Sequence, residues 1–240
     1  YIGFKGNLEA FMSAVASTIA VLAGDPQAVS NVLLSLAKLG WYNDGVVRTL
    51  VGAAVEQMGI SKPQDMANNL WALSNLGWYE RTVYDELLWG LVRSRVQPDP
   101  QNLSNAIYSC AMARHSGAAV DALAGLVVSK QSLSAWEHQH VANSLYGWAV
   151  LSLLGMASPE LNRMASALFS EANNRGPATF DTQHLNQLHS AHLEAERVGL
   201  QGGGLSTANG LQQAAAEKHK QYQAGLREEL RARDTAGRKQ

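Results

Sequence analysis

Between Asp25 and Val198, apolar residues recur three and four positions apart, in paired blocks that restart about every 37 residues. That spacing puts them on one face of a helix, and no stretch alternates apolar and polar residues well enough to predict a strand. In a first block, Ala67, Leu70, Trp71 and Ser74 stand at i, i+3, i+4 and i+7. The second blocks keep the same period: Val47, Leu50, Val51, Ala54, Val55 and Met58, then Val83, Leu87, Leu88 and Leu91. Val120, Leu123, Ala124 and Val127 continue the series, followed by Leu161, Met164, Ala165 and Leu168. Each pair of blocks predicts a helical hairpin.

The punctuation repeats with the pattern. Pro26-Gln27, Pro63-Gln64 and Pro100-Gln101 are evenly spaced, and an asparagine follows each glutamine by four residues: Asn31, Asn68 and Asn105. Gln139 with Asn143 marks a fourth copy, and Asn186 a degenerate fifth. Leu39-Gly40-Trp41-Tyr42 recurs in register as Leu76-Gly77-Trp78-Tyr79. Proline suits a first helical position, where its missing N–H costs nothing, and Asp25, Asp99 and Ser158 are placed as N-caps before their prolines. Ser134 and Glu137 are spaced as a capping box. Gly40, Gly77 and Gly155 predict left-handed helix stops, and the third copy lacks one.

A lone hairpin leaves apolar stripes uncovered, whereas stacked hairpins cover one another, so the expected architecture is an all-α solenoid with 37–38 residues per repeat. Three regions follow. Residues 1–24 hold the second helix of an upstream copy (Asn7 to Leu22), and the opening Tyr1 suggests that an upstream part is missing. Residues 25–198 are the repeats. Residues 199–240 are a glycine-rich linker, Gln201 to Gly204, and a charged helix with Leu211, Ala215, Tyr222 and Leu226 on a thin stripe. That helix could dock on the last repeat or stay mobile.

Composition narrows the classes. With 46% apolar and 16% charged residues the chain is foldable rather than disordered. The longest apolar run, Ala14 to Gly24, is too short and too polar to span a bilayer, so no membrane partner is expected. Cys110 is the single cysteine, which rules out an intrachain disulfide, and its apolar neighbours predict a buried inert thiol. Net charge is −1, and from Asp25 to Gly199 acidic residues outnumber basic ones fifteen to eleven. From Leu200 onward basic residues lead seven to four. Catalytic signals are weak. Gly202 to Gly204 lack the Gly-Lys-Ser/Thr ending of a phosphate loop, and no nucleophile elbow occurs. His189 and His192 share a helical face without an acidic or cysteine partner to complete a metal set. No enzyme activity, metal, cofactor or small-molecule substrate is expected.

Pro63-Gln64-Asp65-Met66-Ala67-Asn68-Asn69-Leu70-Trp71-Ala72-Leu73-Ser74-Asn75-Leu76-Gly77 resembles the octotricopeptide repeat, a helical-hairpin module abundant in green algae. The resemblance covers roughly Asp25 to Phe180, with a weaker copy to about Val198. Leu34, Tyr108 and Tyr146 replace Trp71 in other copies. The segment from Leu185 to Leu193 resembles the region preceding a RAP domain in some relatives, but no RAP-like strand pattern follows it. Membership would imply binding of messenger or ribosomal RNA in a mitochondrion or chloroplast, the mitochondrion being slightly favoured. The partners would be that RNA and the other proteins of a ribonucleoprotein, a mitochondrial ribosome being the sharper form. A protein-interaction scaffold without RNA contact is the competing class, since helical arrays also bind peptides.

On each first helix, the face opposite the apolar stripe offers small polar residues where a nucleotide could approach. These are Asp65, Asn68, Asn69 and Ala72 in the second copy, and Ala28, Asn31, Val32 and Ser35 in the first. The third has Asn102, Asn105, Ala106 and Ser109, and the fourth His140, Asn143, Ser144 and Gly147. Asn and Gln can pair with base edges, and repeat proteins can read one base per repeat. Lys38, Arg81, Arg93, Arg95, Arg114 and Lys130 are the candidate phosphate contacts. The invariant asparagines could instead bond a neighbouring repeat, which makes Asn69, Asn102 and Ser144 the preferred ligand contacts. Ser35, Ala72, Ser109 and Gly147 could serve only close packing. Trp71, Trp78, Trp89 and Trp148 are expected in the core.

Overall fold

In the computed structural model, the N-caps before Pro26, Pro100 and Pro159 and the glycine stops form as the sequence predicts. Residues 24–130 and 132–237 are described, so the expected upstream helix and the apolar run before Gly24 lie outside the described residues. Asp25 Oδ1 accepts from Ala28 N, Asp99 Oδ1 from Asn102 N, and Ser158 Oγ from Leu161 N. Gly40, Gly77 and Gly155 adopt φ of +62°, +69° and +70°. In the third copy Arg114 occupies the same place with φ +54°, a conformation disfavoured for any residue with a Cβ.

The described residues form ten α-helices and no strand. They are α1 (Pro26–Leu39), α2 (Asp44–Glu56), α3 (Pro63–Asn75), α4 (Arg81–Val92) and α5 (Pro100–Met112). α6 (Ala118–Lys130), α7 (His138–Leu153), α8 (Pro159–Arg175), α9 (Thr182–Val198) and α10 (Leu211–Gly237) complete the set. The fold is all-α and built of tandem helical hairpins, the solenoid class. The chain divides into two compact units, Tyr1–Leu123 and Ala124–Gln240.

In the first unit the hairpins are α1–α2 and α3–α4, and the first helices α1, α3 and α5 lie side by side. α2 and α4 form a second layer behind them. Leu33, Leu70 and Ile107 are fully buried at equivalent register, each removing apolar surface worth about 2 kcal/mol from water. Val47, Leu50, Val51 and Ala54 of α2, and Val83, Leu87, Leu88 and Leu91 of α4, supply the facing stripes. Ser30 Oγ donates to Asp65 Oδ1 across α1 and α3, while Asp65 Oδ2 accepts from Lys62 N at the start of α3. Asp65 is therefore a stitch between helices rather than a surface residue.

In the second unit α7 packs on α8 and on α9, and α10 packs on α9. Leu145 and Leu188 continue the buried register. Trp148 is fully buried, meets Phe169 edge-to-face and donates from Nε1 to Asn162 Oδ1. Glu194, also buried, accepts from Ser152 Oγ and from two nitrogens of Arg197, which hold its carboxyl below the usual carboxylate range. The capping box expected at Ser134 does not form. Ser134 lies in a 3-10 turn (Leu133–Ala135), α7 starts at His138, and His140 Nδ1 accepts from the Glu137 N–H. The glycine-rich segment is fastened rather than loose. Ser166 Oγ donates to Gln201 O, Asn173 Nδ2 to Gly204 O, and Leu205 N to His192 Nδ1. The final helix docks on α9 through Leu211 and Ala215, but Tyr222 is exposed and the Leu226 side chain lies outside the described residues.

Candidate nucleic-acid interface

A first helix in the middle of the row is covered by its own second helix and by a first helix on either flank. Only a narrow strip of it meets solvent. On α3 that strip is Gln64, Asn68, Trp71 and Asn75; on α5 it is Gln101, Asn105, Tyr108 and Met112. On α1 the same register gives Gln27, Asn31, Leu34 and Lys38. Residues three and four apart are neighbours on a helix surface, so each asparagine lies beside the large side chain that follows it.

This geometry redistributes the expected site. Asn69, Asn102 and Ser144 are buried at 3%, 6% and 0% exposure, so the preferred ligand contacts are not accessible. Asn69 and Asn102 sit on the flanks where first helices press together, as do Ala72 and Ser109. Ser35, at the same register on α1, is exposed. Asn68, Asn105 and Asn143 stay partly exposed on the solvent strip. The carboxamides of Asn31, Asn68 and Asn105 have no hydrogen-bond partner among the described residues. Trp78 and Trp148 fill the core as expected, but Trp71 and Trp89 do not: both are only half-buried, and Trp71 lies on the strip.

In the second unit the equivalent positions are taken by the chain itself. Asn143 Oδ1 accepts from Gln187 Nε2 of α9 at 3.0 Å. Asn186 Oδ1 accepts from His219 Nδ1 of α10. The His219 ring lies 4.7 Å from the ring of His189, which holds the register of Trp71 and Tyr108. Burial, then the neighbouring His219 and His192, push the His189 imidazole below its ordinary value. His140 is drawn into the start of α7, its ring edge-on to Trp136.

The cations separate into two groups. Lys38, Arg81 and Arg114 belong to the turns inside hairpins and are exposed. Arg81 Nη1 donates to Ser116 O at 3.2 Å, beside a buried core of Tyr84 and His115. Arg93, Arg95 and Lys130 belong to the connections between hairpins, and the Lys130 side chain lies outside the described residues. Arg93 lies 4.5 Å over the Trp89 ring. With Lys62 and Arg95 it borders a cleft of about 550 Å³ floored by Met58 and Met66.

Cys110 is fully buried and its thiol is pushed far up by desolvation. Among those residues no three His, Cys, Asp or Glu side chains converge as metal ligands, and no helix is long and apolar enough to cross a membrane. Fold and strip together define the class: a helical-repeat protein with an open polar–aromatic surface. No protein-family model and no curated protein matches the chain.

Proposed function

We propose that this chain binds single-stranded RNA along the strip of its first helices, as an octotricopeptide-like protein of organellar gene expression. The observation that carries the reading is the row Asn31, Asn68 and Asn105, three carboxamides at one register on three adjacent helices, with no hydrogen-bond partner among the described residues. A carboxamide offers one acceptor and two donors, a match for the edges of unpaired bases. Repetition at one-helix intervals suits a strand threaded one base per repeat. Lys38, Arg81 and Arg114 flank the row and supply phosphate contacts. The organellar setting, and a place in an algal mitochondrial ribosome holding ribosomal RNA, rest on the repeat resemblance.

Binding of labelled single-stranded and duplex RNA to the full chain, followed as salt is raised, tests the reading. Single strands should bind better than duplexes, whose stacked bases cannot reach the strip. The slope of log K against log salt should be about −2, as expected for three phosphates on a single strand. Failure to bind any RNA at low salt would sink the proposal in favour of a protein-interaction scaffold. In the native complex, crosslinks should fall on the first-helix strip; crosslinks confined to α10 would also overturn it.

A further inference from the structure

The cleft of about 550 Å³ lies in the first unit, where the connection from α2 to α3 meets the connection from α4 to α5. Its floor is apolar and adaptable. A Cβ at Gly90 would stand 2.6 Å from Met66 Sδ and 3.5 Å from Met58 Sδ, so the absent side chain is what leaves both thioethers at the bottom. Methionine side chains are flexible and polarizable, and they mould to apolar groups of varied shape. Ile60 and Val96 line the same cleft and are 68% and 62% exposed, which adds apolar surface at its mouth.

Lys62, Arg93 and Arg95 also line the cleft; all three are exposed, and none makes an ion pair among the described residues. No acidic residue lines it, although acidic residues outnumber basic ones over the repeats. The Arg93 guanidinium is held over the Trp89 ring, which fixes one of the charges in place. The serines of the lining are engaged locally: Ser61 Oγ donates to Gln57 O, and Ser94 Oγ accepts from Val96 N. A ligand therefore meets three cations around an apolar floor. A nucleic-acid backbone would satisfy the cations and leave Ile60, Val96 and the methionines in water. An acidic peptide with an apolar anchor uses both features.

We propose that this cleft docks such a peptide: an acidic segment of a partner protein, with one or two large apolar side chains set among its Asp and Glu residues. The anchor buries against the thioethers and supplies affinity, while the carboxylates meet the rim and set approach and register. The cleft and the asparagine row are built from different residues, so the inference goes beyond the RNA reading and does not depend on it.

Selection of short random peptides from a display library, using the full chain as bait, tests the site. Enriched peptides should carry several Asp or Glu residues around a Leu, Ile, Phe or Met. Made synthetically, they should bind Arg93→Glu/Arg95→Glu and Ile60→Asp/Val96→Asp at least about tenfold more weakly than the wild type. All four substituted positions are exposed, and the two variants remove different chemistry. Equal affinity for the wild type and either variant would overturn the site, as would enrichment of neutral or basic peptides, or of none. Single-stranded RNA should bind the wild type and the Arg93→Glu/Arg95→Glu chain alike and leave the peptides in place. RNA that displaces them and binds that variant at least about tenfold more weakly would assign the cleft to phosphates and reject the proposal.

Discussion

The two units carry the same register and use it in opposite ways. In the first, Asn31, Asn68 and Asn105 face solvent and have no partner among the described residues; in the second, Asn143 and Asn186 are bonded to Gln187 and His219. A repeat sequence therefore specifies a position but not its availability, which depends on what the neighbouring segment brings to it. Gln187 can reach Asn143 because α9 lies beside α7 and carries a long amide where the other copies have Asn69, Ala106 or Ser144. His219 reaches Asn186 because α10 lies on α9.

The largest effect should separate the two rows. Replacing Asn31, Asn68 and Asn105 together with Ala removes three exposed edge contacts worth about 1 kcal/mol each, so single-stranded RNA affinity should fall about a hundredfold. Replacing Asn143 and Asn186 should leave that affinity within about twofold, since neither carboxamide is free to meet a base. A titration of both variants at one salt concentration checks this. Equal losses in the two would erase the distinction between an open and a filled row.

Most of the fold is legible in the sequence because repeat punctuation is local chemistry. Asp25 and Asp99 cap, Pro26 and Pro100 start helices, and Gly40 and Gly77 stop them, each through interactions a few residues long. The site is only half legible, and the reason is geometric. A helical wheel drawn for one hairpin has two faces, so it puts Asn69 and Ala72 on the solvent side and Trp71 in the core. Stacking buries both flanks of a first helix, leaving a strip that takes Asn68 from the polar face and Trp71 from the apolar one. Aromatic replacement at a single register, Trp71 to Tyr108 to Tyr146, was the available sign that this position tolerates water. The closure of the last repeat was not legible at all. His219 extends the docking face of Leu211 and Ala215, but its partner depends on where α10 comes to lie.

A smaller effect tests whether the first unit tolerates strain for a charge. Arg114 stands where Gly40 and Gly77 stand and keeps φ at +54°, a conformation that costs a residue with a Cβ about 1 kcal/mol or more. Arg114→Gly should therefore stabilise the chain by about 1 kcal/mol, raising the thermal midpoint by about 2–4 °C. Arg114→Ala keeps the strain and should not. Both variants lose the guanidinium, so both should weaken RNA binding and make its salt dependence shallower by about 0.7, the share of one phosphate. Gain in stability with loss of affinity is the expected signature; a Gly variant no more stable than the Ala variant would show the strain to be relieved elsewhere.

The smallest effect concerns the filled row and runs with pH. His189 faces His219 from α10, with its centroid 6.4 Å from the His192 ring on its own helix and Glu196 nearby pulling the other way. Because burial and the two imidazoles hold His189 below its ordinary value, the unfolded chain takes up a proton there more readily than the folded one. The stability from this contact is complete above about pH 6.5, the ordinary histidine value, and is lost as pH falls through the folded-state value. Leu205 N donates to His192 Nδ1 in the same interface. Thermal midpoints of the wild type and of His189→Gln, compared at pH 7.5 and pH 5.5, isolate the His189 contribution. The wild type should lose more than the variant on the acid side. An equal loss in both would assign the acid sensitivity to His184 or His115, which desolvation also holds low, and would leave the His189–His219 contact indifferent to pH.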